Sequence, residues 1–333
     1  MVDFEKLLSA FLSRHNAPPE HQQISQDAST RVYFRISWEG RPAVVCIYPE
    51  AFVAEEQNYL DVTGLFLAGG LPVAEIFAVD EDLGIIVLED LGDDILRDRL
   101  ADATAMERER LLGEAILLIA KIQAATPLAY SRGSIAGKLR FDIEKLLWEL
   151  NFFFEHYFTT YKGRPTDEKI AREISAEFQD LSAELESRAA VLCHRDFHAA
   201  NLMISSDGGL RIIDHQDARI GSVTYDLVSL LLDRVTEPPA EEWILEKQRL
   251  LLAERKKMGL PDVSEQEFAS EFRLQAIQRC LKAVGTFSYQ STVRGKAYFI
   301  PYIVPMLKIA LDNVKTTGRF PVLQELLESE LRG

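Results

Sequence analysis

The chain has 333 residues, 47% of them apolar and 27% charged, with a formal charge of −15. That length supports a large core in two domains or one bilobal unit, and the acidic balance argues against nucleic acid as substrate, since a phosphate backbone needs a basic footprint. Cys46, Cys193 and Cys280 lie far apart with no CxxC spacing, which implies a reducing compartment and no disulfide frame.

Residues 1–16 interleave charges with apolar residues at helical spacing and predict an amphipathic helix, not a secretion signal. Residues 22–36 and 43–48 read as strands, joined through the turn at 38–42. The glycine-free segment SQDAST at 25–30 is small and hydroxyl-rich, so its backbone N–H groups are suited to phosphate oxygens. Beyond it Val32, Phe34 and Ile36 alternate with Arg31, Tyr33 and Arg35: one face packs, the other is placed to meet phosphate. Residues 51–68 predict a helix carrying Glu55 and Glu56 and ended by Gly69 and Gly70. Strands follow over 73–79 and 83–89, closing on Leu88, Glu89, Asp90, Leu91 and Gly92. That connector suits a hinge whose backbone reads an adenine edge, with a plain linker as the alternative.

From residue 93 onward the pattern is mainly helical, with 3.6-residue stripes over 111–123, 143–158, 167–185, 225–232, 240–258, 264–287 and 305–314. No uncharged run of eighteen apolar residues stands out, so no membrane span is expected, and the protein reads as soluble and cytoplasmic. There is no internal repeat and no GxxxxGK[ST], which rules out a Walker-type phosphate loop.

The densest chemistry lies in LCHRDFHAANLMISSDGGLRIIDHQD, residues 192–217. His194, Arg195, Asp196 and Asn201 form an H-R-D-x-x-x-x-N pattern, and Asp214 follows an apolar run. Phosphoryl transfer leaves the protein little covalent work; it must orient a hydroxyl and hold Mg²⁺ against nucleotide phosphates. Asp196 is the carboxylate suited to accept the hydroxyl proton. Asn201 and Asp214 are hard oxygen ligands for Mg²⁺, and a β-hairpin turning at Ser206, Asp207, Gly208 and Gly209 brings them to neighbouring strand ends. Any one of these residues alone is more often a turn or cap residue; several independent conditions met together favour the catalytic reading. His194 reads as a brace for the loop, and His198 as a loop residue near the acceptor.

With these segments in view, the chain resembles the aminoglycoside phosphotransferase and choline-kinase family of the protein-kinase-like superfamily. Within it the chain is most similar to the anomeric N-acetylmuramate/N-acetylglucosamine kinases. The resemblance runs through DASTRVYFR, GGLPVAEIFAVDEDLGIIVLEDLGD, WELNFFFEHYF, HRDFHAANLM with IIDHQDA, and RCLKAVGTFSYQ. It implies Asp196 as catalytic base, Asn201 and Asp214 as Mg²⁺ ligands, and Asp226 as a buried brace of the catalytic loop. Ser29 and Thr30 fall at the phosphate loop, Glu89 and Leu91 at the adenine hinge, and Asp217 near the metal or the acceptor. Two departures matter. PAVVCIYPE lacks the third-strand lysine of protein kinases, so Arg31 or Arg35 is expected to hold phosphate in its place, with Glu55 paired elsewhere. The short span from Asp214 to Asp226 leaves no room for an activation loop, which disfavours a protein substrate.

The expected protein is therefore an α+β, bilobal, protein-kinase-like kinase. A small antiparallel-sheet lobe (1–91, hinge at 88–92) binds nucleotide, and a large, mainly helical lobe (92–333) binds the acceptor. The cofactors expected are ATP and Mg²⁺, and the acceptor is the hydroxyl of an amino-sugar, its 1-hydroxyl first. No nucleic acid, membrane or protein partner is expected. Acceptor contacts are expected from 197–200, from Trp148, Glu149 and Glu155, and near Tyr289. An aminoglycoside O-phosphotransferase and an inactive nucleotide-binding module remain alternatives.

Overall fold

The computed structural model describes residues 2–24, 31–164 and 167–332, so Ser29 and Thr30 lie outside the described residues. In chain order the elements are α1 (Phe4–Arg14), β1 (His21–Ile24), β2 (Val32–Trp38), β3 (Arg41–Ile47), α2 (Asn58–Ala68), β4 (Ile76–Asp80), β5 (Ile85–Glu89) and α3 (Leu96–Asp102). Then come α4 (Ala105–Ala124), α5 (Thr126–Ser131), α6 (Ile135–Lys138), α7 (Ile143–Phe154), α8 (Glu168–Ser187), β6 (Val191–Cys193), β7 (Leu202–Ile204), β8 (Leu210–Ile212) and β9 (Arg219–Gly221). Five helices follow: α9 (Tyr225–Leu232), α10 (Glu241–Lys257), α11 (Glu265–Thr292), α12 (Ile303–Thr317) and α13 (Pro321–Arg332). By backbone proximity, residues 1–103 with 200–217 make one unit, and 104–199 with 218–333 the other.

The first unit is built on an antiparallel sheet of order β1-β2-β3-β5-β4. Strand alternation sorts its residues as expected: Phe34, Ile36, Val45, Ile47, Ile85 and Val87 bury against Leu8, Phe11 and Leu12 of α1. Asp3 caps α1 by accepting from Lys6 N at 3.1 Å, and Phe11 stacks on Trp38 with ring centroids 5.3 Å apart. The opposite face gathers Cys46, Ile86 and Leu88 with Tyr33, Tyr48, Tyr59 and Leu91.

The helix expected from residue 51 begins only at Asn58. Backbone bonds explain the delay. Tyr48 N donates to Gly84 O at 2.8 Å and Phe52 N to Glu81 O at 3.2 Å, tying 48–52 to the β4–β5 turn and taking these groups out of helical bonding. The turn demands glycine at 84, where φ is +65° and a Cβ would lie 2.6 Å from Glu50 O. Glu55 and Glu56 consequently sit on a short 3₁₀ turn, exposed to solvent.

The hairpin forms where the turn residues place it. Leu202 pairs with Ile212 and Ile204 with Leu210, while Asp207 closes the turn by accepting from Ser205 Oγ at 2.6 Å and Gly209 N at 3.0 Å. It joins the sheet unit through two bridges, Val73 to Ile212 and Ile95 to Met203.

The second unit is a helical core with the small β6–β9 pair inside it. Gly285 permits the close crossing of α11 and α7, since a Cβ there would meet Phe153 Cα at 2.6 Å. The stretch 105–131 reaches the length and hydropathy of a membrane span on composition, and most of it is buried in this unit. Cys46, Cys193 and Cys280 are buried free thiols. Not foreseen were α3, α13 and the π-helical turn Glu155–Tyr161 that extends α7.

Candidate active site

In the second unit β6 delivers the chain into His194, Arg195 and Asp196. Arg195 is held at φ +87°, a conformation costly for a side-chain-bearing residue. Asp226, fully buried in the first turn of α9, holds that turn by accepting from His194 N at 2.7 Å and Arg195 N at 3.0 Å. This is the brace expected of Asp226.

Cations surround the Asp196 carboxylate. Lys282 Nζ lies 3.2 Å from Oδ1, Arg279 Nη1 3.5 Å from the same oxygen, and Arg195 Nε 3.8 Å from Oδ2. Burial alone would raise the Asp196 pKa; Lys282, Arg279 and Arg195 outweigh it and hold the group well below the usual carboxylate range. With 29% of its side chain exposed, Asp196 is an ionised carboxylate that solvent can reach. Arg279 is itself fixed, donating to Arg195 O at 3.0 Å, Tyr225 Oη at 2.9 Å and Ser229 Oγ at 2.7 Å. His198, one turn beyond Asp196, has its pKa lowered by burial and so is neutral near pH 7.

Arg279 and Lys282 were not singled out in the sequence. A signal was there: two cations three residues apart inside the apolar run 276–284, where an unpaired charge would be costly, imply a buried anionic partner.

The first unit holds the other half of the predicted set. Ile213 N donates to Asn201 O at 3.1 Å, so Asn201 and Asp214 are brought together at one end of the hairpin. Asp214 has φ +60° and 45% of its side chain exposed. Gln216 Nε2 donates to its Oδ1 at 2.9 Å, and Arg31 Nη2 lies 3.5 Å from the same atom. The Arg31 guanidinium also sits 5.8 Å and 5.7 Å from the ring centroids of Tyr33 and Tyr48.

Arg35, the other candidate for phosphate, is placed differently. Its Nε donates to Asp90 Oδ2 at 2.6 Å and its Nη2 to Asp93 Oδ1 at 2.9 Å, a clamp on the 90–93 connector. Glu89 likewise turns its side chain to structure, accepting from Arg211 Nη1 at 2.9 Å and Glu75 N at 3.1 Å. Leu91 packs at the edge of the Cys46 and Tyr59 cluster. Asp217 is half-buried at the end of the hairpin segment.

The hairpin's donors suit magnesium. Among the described residues no three His, Cys, Asp or Glu side chains are placed to hold a metal, so a closed protein cage is not formed. An amide oxygen and an exposed carboxylate instead match a cation that keeps several waters and takes its other oxygens from phosphate.

Of the expected acceptor contacts, Trp148 is 57% exposed and Glu155 is also exposed. Glu149 is not available for that role: it is 1% exposed and accepts from Gln278 Nε2 at 2.8 Å. Tyr289 joins Phe152 and His156 in an aromatic group, with centroids 5.7 Å and 5.0 Å away.

Residues 20–260 match the model of the phosphotransferase enzyme family. The N-acetylmuramate/N-acetylglucosamine kinase of Neisseria meningitidis serogroup B is 32% identical over 311 residues, 91% of this chain and 90% of that one. The protein of the same name from Caulobacter vibrioides is 28% identical, covering 92% of this chain and 91% of its own. A choline kinase from Streptococcus pneumoniae shares the fold, with a TM-score of 0.59 at 14% identity over 94% of this chain and 99% of that one. The catalytic-loop pattern, the α+β kinase-like architecture and these matches agree: the chain belongs to the phosphotransferase enzyme family.

Proposed function

We propose that this kinase transfers the γ-phosphoryl group of ATP, with Mg²⁺, to the 1-hydroxyl of N-acetylmuramate or N-acetylglucosamine. The observation that carries the acceptor choice is the similarity, along nine-tenths of the chain, to kinases named for these sugars. The charge around Asp196 supports it. An aminoglycoside is a polycation, and it would have to approach a carboxylate already flanked by Lys282, Arg279 and Arg195. The net charge of −15 is thus a poor guide to the acceptor, because the charges within 4 Å of Asp196 are positive.

In this reading Asp196 accepts a hydrogen bond from the sugar hydroxyl. It orients the oxygen toward the γ-phosphorus and takes the proton as the new P–O bond forms and ADP leaves. A depressed pKa suits an orienting role in a loose transition state, where proton transfer comes late. Mg²⁺, held by Asn201 and Asp214, would neutralise charge on the phosphate oxygens. Arg31 would take the place of the third-strand lysine, and backbone groups of Leu88–Leu91 would read the adenine edge. The connector 88–92 is retained as the proposed hinge.

The test is a set of kcat/KM values with Mg²⁺-ATP for N-acetylmuramate, N-acetylglucosamine, kanamycin and choline. The amino-sugars should lead by several orders of magnitude, because a buried site leaves polar groups unpaired with the wrong acceptor. Efficient kanamycin turnover without amino-sugar turnover would overturn the proposal.

A further inference from the structure

Lys145, on the first turn of α7, is a loosely paired cation. Its nearest carboxylate oxygen is Glu149 Oε1 at 3.8 Å, a loose ion pair beyond hydrogen-bond length, while the other oxygen of the buried Glu149 accepts from Gln278. The other charges bearing on it are Arg195, Arg219 and Lys282, all positive. Burial, with these cations, lowers the Lys145 pKa and outweighs the rise that Glu149 brings. The ammonium still reaches solvent, with 26% of the side chain exposed, and it lies 4.1 Å from the ring centroid of Trp148.

Trp148 is a second, independent pointer to a ligand. Its indole is 57% exposed and lies against Phe152 on one side, and an open indole face stacks well on the apolar face of a pyranose. The π-helical turn Glu155–Tyr161 directly follows α7, and such turns concentrate at functional sites. Lys282, one of the cations acting on Lys145, is itself 3.2 Å from Asp196.

From this juxtaposition we infer that Lys145, backed by Lys282 and beside the Trp148 platform, forms an anion subsite that takes the carboxylate of an acidic sugar acceptor. The inference rests on the amino-sugar kinase reading and deepens it. Of the two sugars, N-acetylmuramate carries a carboxylate and N-acetylglucosamine does not, so the subsite predicts a preference and names its source. An incoming carboxylate would give Lys145 a closer partner than Glu149 provides, a charge-assisted contact made with the acidic sugar alone.

The experiment compares kcat/KM for the two sugars in the full-length enzyme, in Lys145→Met and in Lys145→Arg, by ADP release with Mg²⁺-ATP. The N-acetylmuramate to N-acetylglucosamine ratio should fall by roughly ten- to a hundredfold in Lys145→Met, the range of one charge-assisted contact, and by less in Lys145→Arg, which keeps the charge. A ratio within twofold of the parent in Lys145→Met, or an equal decline for both sugars in that variant alone, would overturn the subsite while leaving the amino-sugar reading intact. Failure of the unaltered enzyme to phosphorylate either sugar would remove both.

Discussion

The hairpin carrying Asn201 and Asp214 and the loop carrying Asp196 are neighbours in sequence and opposite in electrostatic design. At the hairpin end Asn201 and the exposed Asp214 lie together, with Arg31 3.5 Å from the Asp214 carboxylate. In the loop, cations gather around one carboxylate, with Lys282, Arg279 and Arg195 all within 4 Å of it. The first arrangement suits the Mg²⁺ proposed for it. The second keeps its carboxylate ionised and favours anionic over cationic company. A single sum of charge over the chain hides both, and only the local arrangement bears on the substrate.

Substitutions that separate the two regions come first, because their effects are the largest. Asp196→Asn removes the proton acceptor and should lower kcat by about 10²–10⁴-fold while nucleotide affinity, measured by calorimetry, stays close to that of the parent. Near-normal turnover at saturating ATP would show that Asp196 is not the base. At the hairpin the pattern reverses: Asp214→Ala and Asn201→Ala should weaken nucleotide binding only when Mg²⁺ is present, Asp214→Ala the more, since it loses a charge as well as a ligand. Nucleotide affinity indifferent to Mg²⁺ and to both changes would instead favour a non-catalytic module.

The two arginines of β2 give a finer contrast. Arg31→Ala should raise the ATP KM by roughly ten- to a hundredfold, the value of a charge-assisted phosphate contact. Arg35→Ala should act mainly on stability, by about 1–2 kcal/mol, because its clamp joins the largely buried Asp90 to the largely exposed Asp93. Chemical denaturation alongside ATP kinetics distinguishes them, and equal KM effects would show that the clamp also serves phosphate.

The smallest expected effect concerns pH. Lys282→Met removes a cation that holds the Asp196 pKa down, so that pKa should rise and the acid limb of kcat/KM should move to higher pH. An unmoved acid limb would mean that Lys282 does not set the state of Asp196.

Much of this was legible in the sequence where the determinants are local. The hairpin follows from turn residues between two short apolar runs, and α9 falls at 225–232 as its periodicity predicts. What escaped was long-range. Arg279 and Lys282 come to Asp196 from α11, more than eighty residues along the chain, and nothing near HRD announces them. The Arg35 clamp spans 55 residues to Asp90, so alternation could assign Arg35 a face but not a partner. The start of α2 was misplaced because backbone bonds to the β4–β5 turn overrode a helical pattern at 51–57. Trp148 and Glu149, adjacent in sequence, met opposite fates, one exposed and one buried, as the period of a helix requires.

The most direct measurement is the position of the phosphate. After incubation of the purified protein with Mg²⁺-ATP and N-acetylmuramate, ³¹P NMR should show a single sugar phosphate whose phosphorus couples to the anomeric proton, with ADP formed in equal amount. A product phosphorylated at another hydroxyl, or no sugar phosphate while kanamycin is phosphorylated efficiently, would contradict the account.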